Sequence, residues 1–183
     1  MKIDALAQIE VGQTFLSKQM SAEGGNIHLI EPRMMDAGSI NYADTKRVQY
    51  SGKKILQRGD VLFVSRGKFE AAVFESDTPS VATNAFFVLR PNDQIKSGYL
   101  SAFLNSHQAQ RHFRRKQKQT TAKFVSKEEL LELDIPLVPP NEQEDLIHAS
   151  DSLKQTEQLL LQKSQILKNI REGLFGQIQG VSL

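Results

Sequence analysis

The order of apolar and polar positions changes character once along this chain. Up to about residue 91 the apolar runs are short and strand-like; beyond it they recur at helical spacing. "NIHLIEP" (26–32) alternates as a strand does, and Pro32 puts it near a sheet edge or at the strand's end. "DAGSINYADTKRV" (36–48), rich in Asp, Asn, Gly and Ser, reads as loop. "GDVLFVS" (59–65) predicts a buried strand, "RGKFE" (66–70) a turn, and "AAVFES" (71–76) the returning partner. "VATNAFFVLRP" (81–91) ends in a further strand that Pro91 closes, and Gly12 marks a turn near the N-terminus.

The helical part begins with "SGYLSAFLNSHQAQRHFRRKQ" (97–117), where Leu100, Phe103, Leu104 and His107 share a helix face; one or two helices are expected. "SKEELLEL" (126–133) opens with Ser126 and carries Glu129 three residues on, a capping box that predicts a short helix. "DIPLVPP" (134–140) is extended, and its prolines disfavour helix just before them. A long helix is then expected from about Glu142 to Ile178, with Asn141 as cap, Glu144 completing a second capping box, and acids in the first turn. Leu146, Leu153, Leu160, Leu167 and Leu174 recur every seven residues, and Ala149, Thr156, Lys163 and Ile170 fill a second, imperfect seam. At 1.5 Å per residue such a helix runs about 55 Å, longer than a small domain is wide. Its seam therefore calls for a partner helix, with Leu146, Leu153, Leu160, Leu167, Ile170 and Leu174 as the interface. The seam suits parallel and antiparallel pairing alike; packing along the chain's own domain is the plainer alternative. The expected class is α+β: a globular domain (1–140) with a mainly antiparallel or mixed sheet and flanking helices, then one long coiled-coil helix (141–183).

Composition narrows the function. Apolar residues make up 39% of the 183, enough for a core, and no run of eighteen apolar residues predicts a membrane span. The N-terminus lacks the pattern of a secretory signal, and the absence of cysteine excludes disulfides and thiolate chemistry; a cytoplasmic protein is expected. The net charge of +2 hides an uneven distribution. Residues 107–123 hold Arg111, Arg114, Arg115, Lys116, Lys118 and Lys123 with no acid. Residues 46–68 hold Lys46, Arg47, Lys53, Lys54, Arg58, Arg66 and Lys68 against Asp60 alone. Any single cation suits a solvated surface, but two such clusters point to a polyanion, and DNA is the natural one. The candidate contacts are Arg66 and Lys68 in the turn, then Arg114, Arg115, Lys116, Lys118, Thr120, Thr121 and Lys123, with Lys53 and Lys54 as weaker ones. Cations neutralise phosphate, and the interleaved Gln and Thr can bond to base edges. No Walker loop, dinucleotide loop, zinc-protease motif or nucleophile elbow occurs. Asp60 with Glu70 lacks the lysine that a metal nuclease pattern needs. No catalytic or metal residues are expected.

"RGDVLFVSRGKFEAAVF", "ATNAFFVLRP", "YLSAFLNS" and "SKEELLELDIPLVPPNEQEDLI" occur in the order and spacing of the specificity (S) subunits of type I restriction–modification systems, which this chain resembles from about residue 5 to 178. The resemblance implies a target recognition domain that binds double-stranded DNA, with no cofactor of its own. It implies a partner DNA methyltransferase that carries S-adenosylmethionine, and a nuclease subunit where restriction occurs. Family members hold two such domains, each followed by a long helix, whereas this chain holds one of each. It resembles a half-subunit that would work as a homodimer on a palindromic split site. It also departs from the family at "KQTTAKF" (118–124), where many relatives carry a glycine. Two rival readings stay open. One is a coiled-coil module that regulates or competes with a complete specificity subunit; the other is a cryptic metal nuclease.

Overall fold

The computed structural model describes residues 1–16, 24–43, 45–117 and 124–179. The apolar run after Gly59 is a strand, β6 (Val61–Val64), buried at all four positions. It lies second from one edge of a four-stranded antiparallel sheet whose other members are β1 (Ala7–Val11), β7 (Ala71–Val73) and β9 (Phe86–Pro91), in the order β1-β9-β6-β7. Because strand side chains alternate between faces, Leu62 and Val64 join Ile30, Phe74 and Phe86 in one apolar cluster. Phe63 points the other way, its ring 5.0 Å from that of Phe113. Two helices supply this second cover: α1 (Ser97–Asn105), with Leu100 and Leu104 fully buried, and α2 (His107–Gln117), which carries Phe113.

A second sheet has the order β5-β2-β8: β5 (Lys46–Val48) runs antiparallel and β8 (Ser80–Ala82) parallel to the central β2 (Ile27–Ile30). Pro32 ends β2, as expected, but β2 is no edge strand. Residues 36–48, expected as loop, also hold the rest of a small hairpin, β3 (Met35–Asp36) with β4 (Ser39–Ile40), besides β5 itself. Gly12 serves close approach more than a turn: a Cβ there would lie 2.1 Å from the Thr83 carbonyl oxygen. The chain thus passes from β1 into a bridge between Gln13 and Thr83 that touches the second sheet's chain.

The globular unit closes on itself at its ends. Met1 N donates to the Ile135 carbonyl (2.7 Å) and Ile135 N–H to the Met1 carbonyl (2.8 Å), beside a Lys2–Asp134 ion pair. The expected capping box forms at α3 (Lys127–Leu131), where the Ser126 side chain accepts from Glu129 N–H and the Glu129 carboxylate from Ser126 N–H.

The last helix, α4, spans Pro140–Gln179. It starts one residue before Asn141, because Pro140 suits the first helical position, where no intrahelical N–H partner is needed. The Gln143 N–H closes the first turn on the Pro139 carbonyl, and Asn141 is therefore not the cap. What fixes this start is Gln143, only 1% exposed. Its Oε1 accepts from Lys96 N–H (2.9 Å), and its Nε2 donates to the carbonyls of Gln94 (3.0 Å) and Val138 (2.9 Å). Gln143→Ala leaves three partly buried or exposed backbone groups without that partner and should destabilise the globular unit by about 1–2 kcal/mol, measurable by urea denaturation. Gln143→Glu should not rescue it, because a carboxylate cannot donate to two carbonyls.

The chain divides into two compact units, Met1–Asp145 and Leu146–Leu183. No helix among the described residues is long and apolar enough to cross a membrane.

Candidate nucleic-acid interface

The turn between β6 and β7 is built to hold two cations in solvent. Gly67 takes φ +90° and Phe69 φ +51°, a left-handed conformation that L side chains other than glycine adopt at a cost of roughly 1–2 kcal/mol. Phe69 is held there by burial: 5% exposed, with its ring 6.2 Å from Phe113. Its carbonyl accepts from Gln110 Nε2 at 2.6 Å. Asn105 clamps the next strand, exchanging hydrogen bonds of 2.9 and 2.8 Å with the backbone of Ala71. Ser65 is tied on the near side, both its N–H (2.8 Å) and its hydroxyl (2.9 Å) donating to the Ala85 carbonyl. Between these fixed points Arg66 and Lys68 are exposed.

Strand register places other groups at the same end of the sheet. Val11, at the end of β1, faces Phe87 near the start of β9, and Phe86 faces Val64, at the end of β6. The end of β1 therefore lies about two strand spacings, roughly 10 Å, from the Arg66 turn. Lys54 reaches this end, its Nζ donating to the Val11 carbonyl at 2.7 Å. Lys53 lines a small hollow there with Lys54, Glu10 and Arg90. Thr14 and Asn84 meet on the same side, Asn84 Nδ2 donating to Thr14 Oγ1 at 3.1 Å. Both can bond to nucleic acid, and neither was among the sequence candidates. A turn asparagine in "ATNAF" was the available signal.

α2 brings its own cations to the turn through Phe113, which touches Phe63 and Phe69. Arg114 and Arg115 follow it and are exposed. Arg115 also lines a wide hollow of about 730 Å³ with His107, Gln108, Arg111, His112, Glu132, Leu133 and Asp134. Lys118, Thr120, Thr121 and Lys123 lie outside the described residues, as does the side chain of Lys116.

The two carboxylates considered for metal chemistry are engaged separately. Asp60 receives Arg90 Nε (2.7 Å) and Nη2 (2.8 Å), while Glu70 accepts from the Gly38 N–H. Among the described residues no group of three potential ligands could hold a metal ion.

Taken by itself, α4 carries an apolar stripe. Leu153 is 72%, Leu160 62% and Leu174 60% exposed, and Leu146, Leu167 and Ile170 are exposed too. Thr156, in the second seam, donates its hydroxyl to the Ser152 carbonyl at 2.9 Å. Its polar atom is thus satisfied within the helix, and its methyl group remains for packing.

The family model for the type I restriction modification DNA specificity domain matches residues 1–171. No curated protein matches the sequence. Solved structures share the fold. A chain from a structure concerned with complex assembly and conformational transition of the type I R-M system gives a TM-score of 0.74 at 19% identity, over 95% of this chain and 42% of that one. The HsdS subunit from Thermoanaerobacter tengcongensis gives 0.67 at 19% identity, over 90% of this chain and 39% of the other. The type I S subunit from M. genitalium gives 0.55 at 14% identity, over 94% and 43%. The chain thus spans about two fifths of the length of each.

Proposed function

Since this chain belongs to the type I restriction–modification DNA specificity domain family, we propose that it is the sequence-reading part of a type I methyltransferase or restriction complex. The family supplies specificity, and other chains carry the catalysis. The carrying observation is the exposed Arg66–Lys68 turn, locked to the basic helix α2 through Phe63, Phe113 and Phe69. A rigid, cation-bearing edge of this kind meets a phosphate backbone without first being ordered.

On this reading double-stranded DNA binds at that end of the sheet, and the leucine face of α4 pairs with a second long helix. The simplest partner is a second copy, which would place two recognition domains about a two-fold axis over a palindromic split site. The paired helices would then dock the methyltransferase subunit, which holds S-adenosylmethionine, and the nuclease subunit where there is one. The exposed leucine stripe and the satisfied Thr156 hydroxyl support the pairing.

Duplex binding by the full chain across a salt series tests the DNA part. Lys68→Ala, Arg114→Ala and Arg115→Ala should each weaken binding about evenly across sequences and lower the slope of log K against log salt by about one. No duplex binding at low salt, with normal assembly, would sink the DNA reading and leave an interaction module that competes with a complete specificity subunit. Co-purification from native cells tests the methyltransferase partner.

A further inference from the structure

We propose that Arg66 reads a guanine edge in the major groove and that Phe124 is the positioning residue that aims it; the proposal rests on the DNA-recognition reading above. The Arg66 guanidinium carbon stands over the Phe124 ring, 5.7 Å from its centroid, within the ~6 Å range of a cation–π contact. The two residues are joined by an antiparallel bridge, and the Val125 N–H donates to the Ser65 carbonyl at 2.8 Å. Backbone pairing therefore sets the ring beneath the arginine. Phe124 is nevertheless 43% exposed, a large aromatic kept at the surface.

Chemistry separates Arg66 from Lys68. A guanidinium carries five donors in one plane. With its carbon over the ring, the guanidinium keeps its donors for a ligand: among the described residues no carboxylate or carbonyl meets them. Guanine O6 and N7 accept such a fork bidentately in the major groove. A phosphate takes either a fork or a point charge and needs no aromatic platform, whereas discrimination of a base edge needs the fork. Lys68, exposed two residues on and with no ring contact among the described residues, suits phosphate. Stacking also removes rotamer freedom before DNA arrives, so less is lost on binding.

The test selects duplexes from a random-core library with the full chain, then measures affinities for the selected duplex and its single-base-pair replacements. Arg66→Lys keeps the charge and loses the fork. It should lower discrimination at one G·C pair about tenfold while leaving the salt slope unchanged. Phe124→Leu should lower discrimination at that same pair about threefold, with thermal unfolding as in the parent, and Phe124→Tyr should keep it. Parental preferences in Arg66→Lys, together with a salt slope lowered by about one in Arg66→Ala, would make Arg66 a phosphate contact and overturn the proposal. An even loss at every position in Phe124→Leu would overturn it too, making the ring a fold element only. If the parent chain enriches no sequence, the recognition reading itself fails.

Discussion

Aspartate in place of Leu153, Leu160 and Leu167 should abolish the proposed pairing of the long helix: by light scattering the parent is expected as a dimer and the triple variant as a single chain. The three side chains are 72%, 62% and 57% exposed in one chain. Burying a leucine contributes roughly 1.5–3 kcal/mol, and a symmetric pair buries each of the three twice. The loss is therefore roughly 10 kcal/mol, of the order of the whole cost of associating two proteins. Charges placed in the seam add desolvation to that loss. The globular unit contains none of these residues, so thermal unfolding of its sheets should be unchanged and weak duplex binding by single copies should persist. A triple variant that still sediments as a dimer would place the pairing surface elsewhere.

Asp60→Ala should be among the most damaging substitutions of a polar residue in the globular unit. The carboxylate is 1% exposed and holds three donors: Arg90 through two nitrogens, and the Gln57 N–H at 2.8 Å. The hydrogen bonds that Arg90 donates to Asp60 hold its guanidinium above its ordinary pKa, against the opposing effect of burial. Breaking a buried ion pair costs about 3–5 kcal/mol when both charges are enclosed. Arg90's side chain is 39% exposed and keeps part of its water, so about 3 kcal/mol is expected. The thermal midpoint should fall by roughly 6–12 °C for a chain of this size. Asp60→Asn should recover part of the loss, since an amide oxygen still accepts from Gln57. A cost under 1 kcal/mol for Asp60→Ala would mean that water replaces the pair.

Local signals carried the fold where pairing is local. β6 and β7 were legible because an apolar run, a Gly-bearing turn and a second apolar run follow one another, and the observed register joins Val61 to Val73 across that turn. The Ser126 capping box needs only four residues and forms as expected. β3, β4 and β5 were not legible, because Asp, Asn and Gly there favour turns and the strands depend on remote groups. β5 pairs with β2, and the Glu70 carboxylate holds Gly38. Pro32 marks the end of β2, but the strand's central place in its sheet comes from its parallel partner β8, which lies some fifty residues on.

The site divides the same way. The Arg66–Lys68 turn announced itself by charge and glycine together. That Lys54 reaches the Val11 carbonyl, and that Phe124 lies under Arg66, are tertiary facts without a sequence period. The family motifs also gain a physical meaning: the Gln of "PPNEQ" is the buried amide that launches α4, and the Asn of "YLSAFLNS" is the clamp on β7.

Closure of the globular unit by Met1 and Ile135, 134 positions apart, sets an order in time. A ribosome adding about 5–20 residues per second makes the second partner roughly 7–27 s after the first. Within that interval β1 waits for β9, some eighty residues on, and Met1 and Lys2 wait longer, for Ile135 and Asp134. Two of the three exposed positions of β1, Gln8 and Glu10, are polar, and the charge on Glu10 discourages a waiting strand from pairing with a neighbouring chain. Native closure is thus a late event on the nascent polypeptide. It becomes possible only after Ile135 has been made, 134 residues behind Met1.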